Sequence, residues 1–150
     1  MIKARDIMTK EVVTVKPSTT VEELAGLLVA HKISGAPVVD EKGHLVGIVT
    51  ENDLISQNKR LHIPTVARLF DAYIVLGSQT KIEREIKRMA AATVDEICVR
   101  KVITVSPDAP LDEIATIMAE KKVHLLPVVE GKKLLGIIGK IDLIRAMSKE

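Results

Sequence analysis

The chain has 150 residues, of which 47% are apolar, 1% aromatic and 28% charged, and its formal net charge is +2. This length is one domain's worth of chain, and the aliphatic composition favours a mixed α/β protein with buried strands. The balanced charge provides no general field for nucleic acid, and one Tyr, one Phe and no Trp offer no surface on which single strands could stack. Nucleic-acid binding is therefore not expected.

The sequence also predicts a cellular setting. Cys98 is the only cysteine, which excludes an internal disulfide and fits a reducing compartment. The first residues lack the apolar core of a signal peptide, and no apolar run approaches the roughly 18 residues of a membrane helix. No Cys/His cluster has the spacing of a zinc site. We expect a cytoplasmic protein without a membrane partner, a metal or another cofactor.

The first predicted elements are a strand and a helix. A β-branched run, Val12–Val15, predicts a short strand. Thr20 and Glu23 then have the spacing of a capping box, which predicts a helix that ends near Lys32. Apolar residues recur along this helix at helical period and predict its buried face: Val21, Leu24, Ala25, Leu28 and Val29.

Two strands and a second helix follow. Residues 33–39 are predicted to form a turn into a strand, and residues 40–44 a hairpin-type turn. Leu45–Val49 is a predicted buried strand, and a helix is expected from Thr50 to about Asn58. The order of elements in this part of the chain is therefore β-α-β-β-α.

The same order returns in the second half of the chain. Pro107 and Pro127 correspond to Pro17 and Pro37 at one constant offset, and after the hairpin turn the offset becomes one residue smaller. A change of length at a surface turn is what a duplicated fold tolerates. Internal repetition is the strongest organisational signal in this sequence. We therefore predict two small α/β repeats that bury their sheets against one another.

The predicted boundaries leave a connector between the repeats. The first repeat spans residues 1–59, the connector 60–93 and the second repeat 94–150. Within the connector we predict an extended stretch over 61–65 and a possible short strand over Tyr73–Leu76. An amphipathic helix is indicated by spaced apolar residues: Ile82, Ile86, Met89 and Ala90. This helix either packs back on the second repeat or faces a partner.

The junction between the last strand and the last helix of each repeat carries the most chemical information. A helix that begins directly after a strand offers free backbone N–H groups and a positive dipole end, which suit a phosphate. Thr50 would add a hydroxyl donor there. Asp53 would repel a phosphate, but a carboxylate at that distance could accept both hydroxyls of a ribose. The pattern is typical of a site for a nucleoside phosphate.

A simpler interpretation of the same residues stays open. Thr50 and Asp53 also have the spacing of an N-cap and its acidic N3 partner, which would contribute about 1 kcal/mol to the helix and nothing to a ligand. In the second repeat Gly139 lacks the hydroxyl, yet Asp142 remains. The loss of one capping group without the other weakens the interpretation as a cap alone.

These residues resemble a tandem pair of CBS domains, the cystathionine β-synthase-type repeats that form a Bateman module. The resemblance covers residues 1–58 and 94–149. Its markers in the first repeat are Asp6-Ile7-Met8 before Val13-Thr14-Val15, then Ile33 to Asp40, then Gly47 to Asp53, and the set recurs in the second repeat. The resemblance implies the fold class: α/β, with two β-α-β-β-α CBS repeats packed as a pseudo-twofold CBS pair.

The resemblance also implies two symmetry-related clefts that bind AMP, ADP, ATP or S-adenosylmethionine. Carried onto this sequence, the first cleft would combine the following residues: Thr50, Asp53, Cys98, Ile103, Val123 and His124. The second would combine another set: Asp142, Met8, Val13, Ile33 and Ser34. Pro37 and Pro127, which follow the corresponding turns, complete the predicted nucleotide-binding set.

The second repeat departs from the family pattern at Gly139, where a hydroxyl is expected. Lys140 is either a solvated lysine at the helix start or a substitute charge for a phosphate. We therefore expect unequal clefts, and we expect the cleft that contains Asp53 to be the better equipped.

Other candidates have two interpretations each. His124 is either a satisfied buried or rim histidine or a phosphate contact, and Cys98 is either an apolar contact or a reactive thiol. The pairs Arg100-Lys101 and Lys121-Lys122 are either solvated surface or part of a rim that attracts phosphate.

The function that these observations favour is that of a regulatory module. Adenine nucleotide bound between the repeats would change their arrangement, and an unidentified effector protein would read that change. Family members pair through their helices, which predicts a homodimer. An enzyme is not expected, because the sequence contains no nucleophile elbow and no P-loop motif. The alternatives are a module for S-adenosylmethionine and an interaction scaffold without ligand.

Overall fold

A computed structural model of the chain describes residues 1–61 and 92–148 and gives the backbone alone over 57–61. The predicted connector elements, at 61–65, 73–76 and 82–90, therefore lie almost wholly outside the described residues. The elements in chain order are α1 Ala4–Ile7, α2 Val21–His31, β1 Gly35–Val39, β2 Leu45–Thr50, α3 Glu51–Leu61, α4 Val94–Ile97, α5 Leu111–Glu120, β3 Leu125–Glu130, β4 Lys133–Gly139 and α6 Lys140–Ser148.

The helix α2 begins where the capping residues predict. The Thr20 hydroxyl accepts a hydrogen bond from the Glu23 backbone N–H at 3.0 Å, and the Glu23 carboxylate accepts one from that hydroxyl. Leu24 and Leu28 are buried, as the periodicity predicts. Val29 is 79% exposed, so the prediction that it lies on the buried face is wrong. The buried stripe runs along Leu24 and Leu28, and Val29 lies past its edge.

The sheets are two separate antiparallel hairpins, β1 with β2 and β3 with β4. Their registers correspond, since Pro37 pairs with Ile48 and Pro127 pairs with Ile137. Each hairpin has one register shift, between the fourth and fifth positions of its first strand. The α/β class and the pairing of two repeats are thus confirmed.

The first strand of each repeat is shorter than predicted, because prolines block its ladder. Val15 forms a parallel bridge with Val38, in which the Val15 N–H donates to the Pro37 carbonyl at 3.0 Å and its carbonyl accepts from the Val39 N–H at 2.9 Å. The next donors in such a ladder would be the N–H groups of Pro37 and Pro17, which proline lacks. The pairing therefore stops after one residue.

In the second repeat the pairing of the first strand also stops after one residue. Val105 forms a parallel bridge with Val128. The next donors on either side would belong to Pro127 and Pro107. The prolines that mark the duplication in the sequence thus explain why Val13 and Ile103 are not paired in a sheet.

The short helices at the start of each repeat are exchanged between the cores. Ala4 of α1 is fully buried in the core of the second repeat, together with Ile114 and Leu126. Val94 of α4 is fully buried in the core of the first repeat, beside Leu24. Each repeat therefore completes its core with the short helix that begins the other repeat.

Two glycines make this exchange possible. A Cβ atom on Gly136 would lie 2.6 Å from Met8 Sδ and 2.9 Å from the Thr9 carbonyl oxygen. A Cβ on Gly47 would lie 3.0 Å from the Val99 carbonyl oxygen. The exchanged segments also bond to these strands, since the Thr9 N–H donates to the Ile137 carbonyl at 2.8 Å. Close backbone approach therefore requires glycine at both positions.

Replacing Gly26 with alanine is expected to stabilise the protein by about 1 kcal/mol, because glycine inside a helix costs about that much relative to alanine. Gly26 lies within α2, and a Cβ there would meet nothing within 4 Å. Gly43→Ala is the matched control: the space is also open, but φ is +80°. That variant should lose about 1 kcal/mol. Urea unfolding measures both, and equal shifts would contradict the argument.

Candidate functional site

The strand-to-helix junctions contain no intervening residue. β2 ends at Thr50 and α3 begins at Glu51, while β4 ends at Gly139 and α6 begins at Lys140. The Glu51 N–H donates to the Ser34 carbonyl at 2.8 Å. Among the described residues no corresponding bond joins Lys140 to His124. The first helical N–H is therefore engaged in one junction only.

Both aspartates cap their helices. Asp53 Oδ2 accepts from the Thr50 N–H at 2.8 Å and from the Thr50 hydroxyl at 3.3 Å. Asp142 Oδ2 accepts from the Gly139 N–H at 2.8 Å. The principal capping bond uses a backbone donor and needs no hydroxyl. The inference that Gly139 weakens the capping interpretation was therefore wrong.

Capping occupies only one oxygen of each carboxylate. The other oxygen of Asp142, Oδ1, lies 3.4 Å from Arg145 Nη1. Arg145 is 59% exposed, so this pair is weak and a ligand hydroxyl could compete with it. Capping and ribose binding are therefore compatible roles for the same side chain.

A cleft of about 350 Å³ opens beside Asp142. We call it the Asp142 cleft. Its lining is largely aliphatic, and both repeats contribute to it. The lining includes both charged and aliphatic side chains: Glu11, Val13, Lys32, Ile33, Lys140 and Asp142.

A smaller cleft of about 210 Å³ opens beside Thr50. We call it the Thr50 cleft. Both repeats form this cleft too, and it lies at the junction of β2 and α3, as the Asp142 cleft lies at the junction of β4 and α6. The lining includes polar, charged and aliphatic side chains: Ile48, Thr50, Glu51, Asn52, Lys122 and Val123.

The structure groups many of the predicted site residues. Of the residues predicted for the first site, Thr50, Val123 and His124 line the Thr50 cleft. The Asp142 cleft contains most of its predicted members: Asp142, Val13, Ile33, Ser34 and also Pro37. Ser34 and His124 line both clefts, and His124 is exposed at their rim.

Other predicted residues lie behind these clefts rather than in their lining. Cys98 packs on the first core beside Gly47, and Ile103 packs on the second core. Met8 packs against Gly136, and Pro127 is fully buried in β3. Asp53 caps α3 without lining either cleft. The Asp142 cleft has the larger volume of the two, and the expectation that the cleft containing Asp53 is the better equipped stays a prediction.

Two lysines lie in the clefts: Lys32, which sequence reasoning missed, and Lys122, which it named as part of a possible phosphate rim. Lys32 and Lys122 follow α2 and α5, and both have φ of 53°, in the left-handed region. Lys32 lines the Asp142 cleft and Lys122 lines the Thr50 cleft. Their corresponding positions after a predicted helix were the available signal. Lys122 therefore lies at a cleft, and its contact with a phosphate stays a prediction.

A small and a large residue meet between the clefts. Leu125 lines both, and it occupies the position in the second repeat that Gly35 occupies in the first. A Cβ on Gly35 would lie 2.8 Å from Leu125 Cδ1. The leucine side chain therefore fills the space that the glycine leaves, and it separates the two clefts asymmetrically.

The environment of Cys98 favours an unreactive thiol. Burial raises the pKa of the Cys98 thiol, and the charges of Asp95 and Asp53 raise it further, while Arg100 opposes them. A raised pKa keeps the thiol protonated near neutral pH. Arg100 is paired with Asp95 and so is not a free rim charge.

Comparisons with known proteins identify the class. The family model of the CBS domain matches residues 4–59 and 94–149. The Methanocaldococcus jannaschii protein MJ1426 is 32% identical over an alignment of 151 positions, which covers 95% of this chain and 89% of the relative. The chain belongs to the CBS-domain family, as a tandem pair of repeats. Such pairs are generally regulatory modules.

Two solved structures of similar proteins contain ligands. The Arabidopsis thaliana protein CBSX2 in complex with AMP has a TM-score of 0.77 and 26% identity, over 99% of this chain and 98% of that one. The CBS domain pair of MJ0100, in complex with 5′-methylthioadenosine and S-adenosyl-L-methionine, has a TM-score of 0.73 and 26% identity over the same shares of the chains. The chain spans 57% of full-length CBSX2, to which it is 30% identical.

Two further observations concern membrane spans and metal sites among the described residues. None of their helices is long and apolar enough to cross a membrane. Within residues 1–61 and 92–148, no group of three His, Cys, Asp or Glu side chains could hold a metal ion.

Proposed function

We propose that this protein is a regulatory module that binds an adenine nucleotide, AMP, ADP or ATP, between its two repeats. One observation carries the proposal: the Asp142 cleft combines a helix N-terminus, a carboxylate with one oxygen free of capping and an aliphatic lining. These groups suit a phosphate, a ribose and a base respectively. The AMP and 5′-methylthioadenosine complexes of similar CBS pairs support an adenosine ligand.

The volume of the Asp142 cleft suits a small ligand. Small-molecule pockets usually begin near 300 Å³, and this cleft measures about 350 Å³. AMP is therefore the first candidate among the three nucleotides. Because Val13 and Ile33 come from the first repeat and Asp142 from the second, a ligand that contacts all three favours one arrangement of the repeats.

Such a module transmits its signal through a partner. We propose that an effector protein, not yet identified, reads the ligand-dependent arrangement, and that the chain itself is not an enzyme. We also propose a homodimer, in which the exposed apolar residues of α3 and α6 are covered: Ile55, Ile141, Ile144 and Met147. Light scattering at micromolar concentration should give twice the chain mass, and a strictly monomeric species would contradict the homodimer.

Isothermal titration calorimetry tests the ligand proposal. Wild-type protein should release heat with AMP, ADP or ATP, and guanosine monophosphate should bind more weakly because it presents different base edges. The protein control changes a charge outside both clefts: Lys42→Glu, in the exposed hairpin turn after β1. It should bind as the wild type does.

An S-adenosylmethionine module is the second candidate, favoured by the ligands of the MJ0100 pair. A response to S-adenosylmethionine alone would select it. If no adenosine compound gave heat, the proposal would fail and an interaction scaffold would be the better description.

A further inference from the structure

The first helical residue carries opposite charges in the two clefts. Glu51 begins α3 in the Thr50 cleft, and Lys140 begins α6 in the Asp142 cleft. Both side chains are exposed, and both follow directly on the strand that precedes the helix. A phosphate at the helix N-terminus would therefore meet an anion in one cleft and a cation in the other.

Besides Lys140 at the helix start, the Asp142 cleft is lined by one further cation and two carboxylates. Lys32 adds a second cation to Lys140. Two carboxylates, Glu11 and Asp142, also line the cleft. The Asp142 carboxylate is already engaged by the Gly139 N–H and by Arg145, and it occupies the position proposed for the ribose.

The Thr50 cleft has fewer means to hold an anion. Its cation Lys122 is opposed by Glu51 at the helix start. The Glu51 N–H, which could otherwise bind a phosphate oxygen, donates to the Ser34 carbonyl at 2.8 Å. The Thr50 hydroxyl lies 3.3 Å from Asp53 Oδ2, where it donates to the carboxylate. Two of the donors expected for a phosphate are therefore engaged within the protein.

We propose that the two clefts sort adenosine compounds by charge: the Asp142 cleft takes a phosphate-bearing compound, and the Thr50 cleft takes one whose corresponding end is neutral or cationic. The proposal rests on the proposed function, since it assumes that the clefts bind adenosine compounds. The Thr50 cleft is also the smaller of the two, at about 210 Å³.

The test uses two ligands that share adenosine and differ in charge, namely AMP and the uncharged 5′-methylthioadenosine. Calorimetry on wild type should give one AMP and at least one 5′-methylthioadenosine per chain. Lys140→Glu replaces a positive charge by a negative one near the phosphate of AMP, so it should weaken AMP binding about tenfold or more. It should leave the 5′-methylthioadenosine site at Thr50 unchanged. Glutamate is also favourable at a helix start, so this variant should fold.

The reciprocal variant is Glu51→Lys, which should raise AMP stoichiometry from one to two per chain. Lys42→Glu, which makes the same charge change as Lys140→Glu but lies outside both clefts, is the control for that variant and should bind like wild type. Equal AMP affinity in Lys140→Glu and wild type, or two equal AMP sites in wild type, would overturn the charge sorting while leaving the proposed function intact. Absence of heat with both ligands would instead overturn the proposed function, and this inference with it.

Discussion

Asp142→Ala is expected to lower the affinity of the protein for AMP about 100-fold. A hydrogen bond to a charged group contributes roughly 1.5–3 kcal/mol, and the loss of the ribose contacts of one carboxylate therefore accounts for about 2.7 kcal/mol. Asp142 is only 16% exposed, so water replaces its contacts poorly. Calorimetry with AMP measures the change directly.

The capping role of Asp142 must be separated from its ligand role. The alanine variant also loses the bond from the Gly139 N–H at 2.8 Å, which should cost about 1 kcal/mol of stability. Asp53→Ala is the matched control, because it loses the corresponding bond from the Thr50 N–H. It should show the same fall in stability and unchanged AMP affinity in the Asp142 cleft. Equal losses of AMP affinity in both variants would show that the effect comes from helix stability.

Ala4→Asp is expected to destabilise the protein by about 3–5 kcal/mol, because an unpaired charge would be buried. Ala4 is 0% exposed and packs in the core of the second repeat, although it lies in the fourth position of the chain. The substitution should therefore impair the Asp142 cleft more than the Thr50 cleft. Urea unfolding followed by circular dichroism measures the free energy of unfolding.

Ala119→Asp is the control for this prediction. Ala119 is an exposed residue of α5, in the second repeat itself, and the same substitution there should cost less than about 1 kcal/mol. If Ala4→Asp were as mild as Ala119→Asp, the exchange of the short helices between the cores would not contribute to stability.

Much of the fold follows from local sequence signals. The periodicity of Leu24 and Leu28, the cap at Thr20 and the alternation of turns and strands gave the order of elements. The strand over Val12–Val15 was overestimated because β-branched composition does not show which N–H donors a neighbouring strand will lack. Pro37 limits the ladder from a different element, and only the register between the elements reveals it.

The exchange of α1 and α4 could not be read from the repeats. A duplicated sequence indicates two equal units but leaves open which copy of a short segment packs on which core. The close approach at Gly47 and Gly136 could not be predicted either, because it also depends on which short segment packs on which core. The clefts were predicted in part, since Thr50, Val123 and Asp142 follow from motif positions. The placement of Lys32 required the left-handed turn after α2, and the contact of Leu125 with Gly35 required the packing of the two repeats.

The exchanged helices also determine when each core can form during synthesis. The first repeat is complete in sequence long before Val94 leaves the ribosome, yet its core lacks that residue until then. The second repeat, in contrast, must recruit Ala4 from a segment that was made first. Contacts of such long sequence separation slow folding and come late. We therefore expect nascent chains that end before α4 to be open and sensitive to protease, and the two halves of the finished chain to fold and unfold as one cooperative unit.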